Sequence, residues 1–175
     1  MRLATLFLGL LIFLGTIGTA CGVDIDVERL QDTKIYLCPR CQKPIRADHI
    51  AENAESMLAD AVKTSLGARH ITFTEGNGKD GPRLSILVYR FQERRGSNIA
   101  VDKPASVGFH AHLYAGGSLV KTVVFDETQQ PLSENLLKLG TFLKRGARWI
   151  TVDELCREGV ERVIHALEKD LGGSK

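Results

Sequence analysis

The densest chemistry in this chain is Cys38-Pro39-Arg40-Cys41, two thiols three positions apart. Four uses of such a pair can be weighed. A covalently attached c-type haem requires a His directly after the second cysteine, and Gln42 stands there. A thioredoxin-like redox pair needs its first cysteine at a helix N-terminus, where the dipole makes the thiol acidic, but Pro44 argues against a helix continuing from Cys41. A metal site would recruit His49, or His110 and His112, which at a spacing of two share one face of a strand. One C-x-x-C supplies only half of a four-ligand zinc set. The fourth use is a structural disulfide, the ordinary state of thiols in an exported protein. Cys156 is then either a small buried hydrophobe or the partner of one of the two. The expectation is a structural pair with no catalytic role and no cofactor.

Other chemistry is sparse. His110 and His112 alternate with Phe109, Ala111 and Leu113, so they are expected on the solvent side of a half-buried strand. The run Gly76-Asn77-Gly78-Lys79-Asp80-Gly81-Pro82 contains glycines and a lysine but precedes a strand. A phosphate-binding loop must open a helix with G-K-[ST], so this run reads as a turn. No Ser, Thr or Cys sits in a nucleophile elbow, and no paired-carboxylate motif is present.

These residues need elements to carry them. Residues 84–91, 107–114 and 119–125 are rich in β-branched and aromatic side chains at a period near two, which predicts three neighbouring strands. Gly116-Gly117 supplies the positive φ values of a tight hairpin between the second and third. Lys34 to Leu37 reads as a first strand and His70 to Phe73 as a short one, while Glu93 to Pro104 is polar and reads as a long connection. Between Asp48 and Leu66 the period changes: Ile50, Ala54, Met57, Leu58, Ala61 and Leu66 form one stripe of a surface helix, with Asp48 as N-cap and Gly67 as stop. The last helix opens at Thr151-Val152-Asp153-Glu154, a capping box with Ile150 and Leu155 as its hydrophobic staple. Its core stripe is Leu155, Cys156, Gly159, Val163, Leu167 and Leu171. Before it, Leu132, Leu136, Leu139 and Leu143 share one face of an additional amphipathic helix that ends near Arg145 and Trp149. A helix packed on its own sheet gives nearly the same pattern, but two helices suffice for one face of the sheet, so the alternative is that this third leucine face meets a membrane or a partner protein.

The fold expected is α+β and two-layered: two main helices on one face of a largely antiparallel four- to five-stranded sheet, in the order β-α-β-β-β-β-α, plus the extra helix before the last. With 175 residues, 43% hydrophobic and 25% charged, the chain supports one domain with a core of its own. A formal net charge of +2 provides no field for nucleic acid, and none is expected as a partner.

The N-terminus sets the compartment. Met1-Arg2, the apolar run Leu3 to Leu14 and the small residues Gly15 to Ala20 form an export signal, too short to span a bilayer comfortably, with cleavage before Cys21. Residues 1–20 are thus a removed signal peptide, 21–33 a tether and 34–175 the domain. Thr19-Ala20-Cys21-Gly22 resembles the lipobox of bacterial lipoproteins, in which a diacylglycerol-modified cysteine becomes the N-terminus. That resemblance implies a lipid on Cys21, and Gly22 rather than Asp after it resembles outer-membrane sorting. The alternative is secretion to the periplasm without lipid. The order of elements behind Cys21 is similar to that of small envelope lipoproteins: auxiliary subunits of lipid-trafficking ABC systems, the lipopolysaccharide-assembly lipoprotein and curli-secretion-like domains. The resemblance implies a non-catalytic accessory protein facing the periplasm, bound to the membrane through its lipid and to an envelope complex through its surface. The competing reading is a periplasmic metal-binding or thiol-redox protein centred on Cys38 and Cys41.

Overall fold

A computed structural model describes residues 22–75, 81–96, 101–129 and 150–172. Strand β1 (Val23–Arg29) leads to helix α1 (Ala54–Ala68), β2 (Phe73–Glu75) and β3 (Arg83–Gln92). A two-stranded ribbon, β4 (Arg95–Gly96) and β5 (Val101–Lys103), precedes β6 (Ser106–Ala115) and β7 (Ser118–Thr128), and α2 (Val152–Leu171) follows. The main sheet has the order β2-β1-β3-β6-β7. β3, β6 and β7 form the expected antiparallel meander, and Gly116 and Gly117 turn between the last two at φ of 55° and 78°. Both values lie where a side chain is disfavoured, which is what a two-residue hairpin asks of its centre.

The half of the sheet on the other side of β3 differs from expectation. Val23–Arg29 is no tether. It is an interior strand, parallel to both β2 and β3, so the sheet is mixed. Lys34 to Leu37 is not a sheet strand. It belongs to an excursion that leaves β1 at Leu30 and returns at Asp48, where Asp48 N donates to Tyr89 O (3.0 Å), Phe91 N to His49 O (2.9 Å) and Ala51 N to Phe91 O (2.9 Å). These bonds occupy the backbone that was expected to begin the first helix, so α1 starts at Ala54 after Asn53 instead of at Asp48. The short strand expected at His70 to Phe73 falls at Phe73–Glu75, and part of the 93–104 connection is the β4–β5 ribbon. The extra helix (Leu132, Leu136, Leu139, Leu143, Arg145, Trp149) and Cys21 lie outside the described residues.

Two cores result. On one face α1 and α2 cover Val23, Ile25, Leu84, Ile86, Val88, Phe109, Ala111, Leu113 and Phe125. The capping box of α2 is formed as expected, Glu154 N donating to Thr151 Oγ1 (3.2 Å) and Thr151 N to Glu154 Oε2 (3.0 Å). Its stripe is buried throughout, Cys156 included, and Gly159 gives Phe125 room: a Cβ there would lie 2.6 Å from the ring. On the opposite face the excursion 31–47 folds over Leu87 and Tyr89 of β3, forming a second cluster with Leu30, Cys38 and Ile45. A sheet open to water on one face was expected. Leu87 and Tyr89 point away from Ile86 and Val88 and are apolar too, so the second face needs a cover.

Candidate metal centre

The cover is a hairpin-like flap. Cys38 N donates to Lys43 O (2.8 Å) and Ile45 N to Tyr36 O (2.9 Å), with an isolated bridge between Leu37 and Pro44. Between them Cys38-Pro39-Arg40-Cys41 makes a tight knuckle closed by Gln42 N to Cys38 O (2.9 Å), with Gln42 at φ 58°. The amides of Arg40 and Cys41 are aimed at the Cys38 thiol and favour its thiolate. Side chains fasten the flap to three strands. Arg40 reaches Glu28 on β1 (2.6 Å) and Ser85 on β3, Ser85 Oγ donates onward to Asp26 (3.0 Å), and Lys43 Nζ donates to Thr122 O on β7 (3.2 Å).

Beneath the knuckle lie His110 and His112 of β6. They do face away from Phe109 and Ala111, as the alternation required, but they are not solvent-facing: both are 0% exposed, because the flap covers that side. Cys38 Sγ is 3.3 Å from His112 Nε2, and Cys41 Sγ is 3.5 Å from His110 Nδ1. One ligand atom from each of the four residues lies within 4.8 Å of all the others. Zn–S bonds of about 2.3 Å and Zn–N bonds of about 2.05 Å at tetrahedral angles place a Cys–His pair of ligand atoms about 3.6 Å apart. The two short separations observed match that edge.

The electrostatics fit a metal as well. Burial, with the positive charges of Arg40 and Lys43 nearby, pushes His112 down to about 4. Burial and then Lys43 lower His110. Both rings are therefore neutral near pH 7, the state in which a ring nitrogen can donate to a metal. Burial raises the Cys38 thiol despite the two amides. Without a cation a Cys38 thiolate is unfavourable here, and a divalent ion is the kind of charge that reverses this. Around the cluster, Tyr89 packs edge-on to His110 with centroids 5.1 Å apart. Its ring occupies the space a side chain would take at Gly108, where a Cβ would come within 2.5 Å.

Of the residues singled out in the sequence, the structure joins Cys38, Cys41, His110 and His112 and leaves out two. His49 is exposed and outside the cluster. Cys156 sits in the core on the helix side of the sheet, its thiol pushed up to about 12 chiefly by burial, so it cannot pair with the flap cysteines. All three of these cysteines are free thiols, and the expected disulfide is not formed. Not evident from the sequence was the role of Leu87, Tyr89 and Gly108, the apolar face and the gap that bring the flap down; their signal was a strand apolar on both sides.

No protein-family model and no curated protein matches the chain. Solved structures resemble it to differing degrees. A variant PelC dodecamer from Paraburkholderia phytofirmans has 14% identity and a TM-score of 0.51, covering 85% of this chain and 88% of that one. A DUF330 protein from Xanthomonas campestris has 13% identity and a TM-score of 0.47, covering 87% and 89%. A minor lipoprotein from Acinetobacter baumannii has 11% identity and a TM-score of 0.33, covering 82% and 93%. At these identities the likeness is one of fold: the chain is similar in architecture to the PelC protomer.

Proposed function

We propose that this protein is a zinc-holding, non-catalytic accessory protein of the cell envelope. The observation that carries the metal is the convergence of Cys38, Cys41, His110 and His112, from segments about seventy residues apart, with their ligand atoms within 4.8 Å of one another. Two thiols and two imidazoles in tetrahedral range are the donor set of zinc rather than of calcium or magnesium, which take oxygen. Four protein ligands leave no open position for substrate, so the ion is structural: it ties the flap to β6 and closes the second core. Metal analysis of the purified protein tests this. About one zinc per chain is expected, falling to background in His110→Ala with His112→Ala and in Cys38→Ser with Cys41→Ser. A protein purified under reducing conditions without metal, and unable to take up zinc in competition with a chromophoric chelator, overturns it.

The envelope assignment rests on the export signal and on Thr19-Ala20-Cys21-Gly22, and the shared fold with PelC, recorded as a dodecamer, supports a role within an assembly. On this reading Cys21 carries diacylglycerol, the outer membrane holds the protein on its periplasmic side, and the 132–149 leucine face contacts a membrane or partner. Intact-mass analysis of membrane-extracted protein is expected to show the lipid, and Cys21→Ser to release a soluble periplasmic form. An unmodified N-terminus in the wild type overturns the anchor.

A further inference from the structure

Strand β1 begins at Val23, one residue after Gly22 and two after Cys21. Gly22 itself is already held against β2: a Cβ there would lie 3.2 Å from the Phe73 carbonyl carbon, and Val23 N donates to Thr72 O (2.9 Å). The residues expected to form a tether are here an interior strand of the sheet. If Cys21 carries lipid, successive Cα atoms about 3.8 Å apart hold the sheet end within roughly 8 Å of the lipidated residue.

The register then says what else lies at that end. Asp24 pairs with Arg83, Arg83 with Tyr114, and Tyr114 with Leu119, so these four residues form one row across β1, β3, β6 and β7. Three strand spacings of about 4.8 Å separate β1 from β7 in this row, a lateral distance of roughly 14 Å. Beyond it, on the same side as Gly22, projects the β6–β7 hairpin tip, Ala115 to Ser118. At an edge strand of the protein's own surface, Leu119 is 37% and Val120 55% exposed. Arg83 stacks on Tyr114 with its guanidinium carbon 4.6 Å from the ring centroid, an aromatic and a cation presented together. Polar head groups form a layer roughly 5–7 Å deep on each side of a bilayer. A hairpin that ends at nearly the depth of the lipidated residue enters that layer.

We propose that the end of the sheet formed by Arg83, Tyr114, Leu119 and Val120 is a membrane-facing surface, seated in the lipid head groups beside the anchor at Cys21. Tyr and Arg suit the head-group level, and the two aliphatic side chains suit the boundary below it. This rests on the anchor reading above, and the surface meets lipid. It fixes orientation: the opposite end, with the β4–β5 ribbon and the start of α2, points away from the membrane and toward any partner.

The test uses the full chain, processed in cells, extracted and reconstituted into phosphatidylethanolamine–phosphatidylglycerol vesicles containing a nitroxide head-group lipid. In a Trp149→Phe background, a single tryptophan is placed by Leu119→Trp or, at the far end, by Arg95→Trp. Several-fold stronger quenching is expected for Leu119→Trp. Intact mass on the same samples reports the lipid. Equal quenching at both positions in protein of confirmed lipidation overturns the membrane-facing surface and leaves the anchor standing, a result that would fit a partner protein on this end. Absence of the lipid by mass overturns the anchor reading and the surface with it.

Discussion

Adding one methyl group at Gly108 separates packing from metal binding on the two faces of the sheet. In Gly108→Ala the new Cβ would lie 2.5 Å from Cε2 of Tyr89 and 3.1 Å from Cδ2 and Cζ. Carbon atoms rest about 3.5–4.0 Å apart, so the ring must withdraw by roughly 1 Å. Tyr89 has little freedom to do so: it is buried, its hydroxyl donates to Asp126 (3.2 Å), and its edge meets His110. Overpacking of this kind costs about 1–3 kcal/mol, which for a domain of this size lowers the thermal midpoint by roughly 2–12 °C. The displaced ring pushes on His110, a ligand of the proposed zinc, and disturbing a group that orients a ligand weakens metal affinity on the order of tenfold or more. Gly159→Ala is the matched control. Its Cβ would meet Phe125 at 2.6 Å, an equal clash on the helix face, away from the cluster. Thermal melts and zinc competition titrations on both variants are expected to show similar destabilisation and weakened zinc only in Gly108→Ala. Equal zinc affinity in the two variants refutes the coupling through Tyr89.

Other outcomes follow from single contacts. Thr151→Ala removes the hydroxyl that accepts from Glu154 N and is expected to cost about 1 kcal/mol in urea denaturation, with zinc content unchanged. Cys156→Ala leaves a small void on the helix side; it should lower the melting temperature by a few degrees and leave one zinc per chain, whereas loss of zinc would place Cys156 in the site. In metal-free protein the buried neutral histidines have folded pKa values below their unfolded ones, so the unfolded chain gains protons first. Stability is therefore expected to fall as pH drops from about 6.5 toward 4, and to fall less in His112→Asn, measured by urea midpoints across that range.

The meander and the last helix were legible because their signals are local: period-two runs, two glycines at a turn, a capping box. β1 was legible in principle. Val23, Ile25 and Val27 alternate with Asp24, Asp26 and Glu28, but the carboxylates suggested a solvated tether. In the fold they turn toward the flap, where Arg40 joins Glu28 and, through Ser85, Asp26. The histidines were placed on the correct face and given the wrong environment, since a period of two specifies a side of the sheet and not what covers it. The knuckle was weighed as half of a metal set and placed behind a structural disulfide. His110 and His112 lie on β6, and only the return of the chain over Leu87 and Tyr89 brings them to the two cysteines, which no spacing rule encodes. The leucine face of 132–149 and Cys21 lie outside the described residues, so the interaction surface and the anchor stand on sequence alone.

The central claim is that two thiols and two imidazoles of this chain share one ion. X-ray absorption at the zinc edge of the full chain, purified after native export, addresses it most directly. The account predicts about two sulfur ligands near 2.3 Å and two nitrogen ligands near 2.0–2.1 Å. Zinc bound only by oxygen and nitrogen, or a zinc-free protein in which Cys38 and Cys41 form a disulfide, would contradict it.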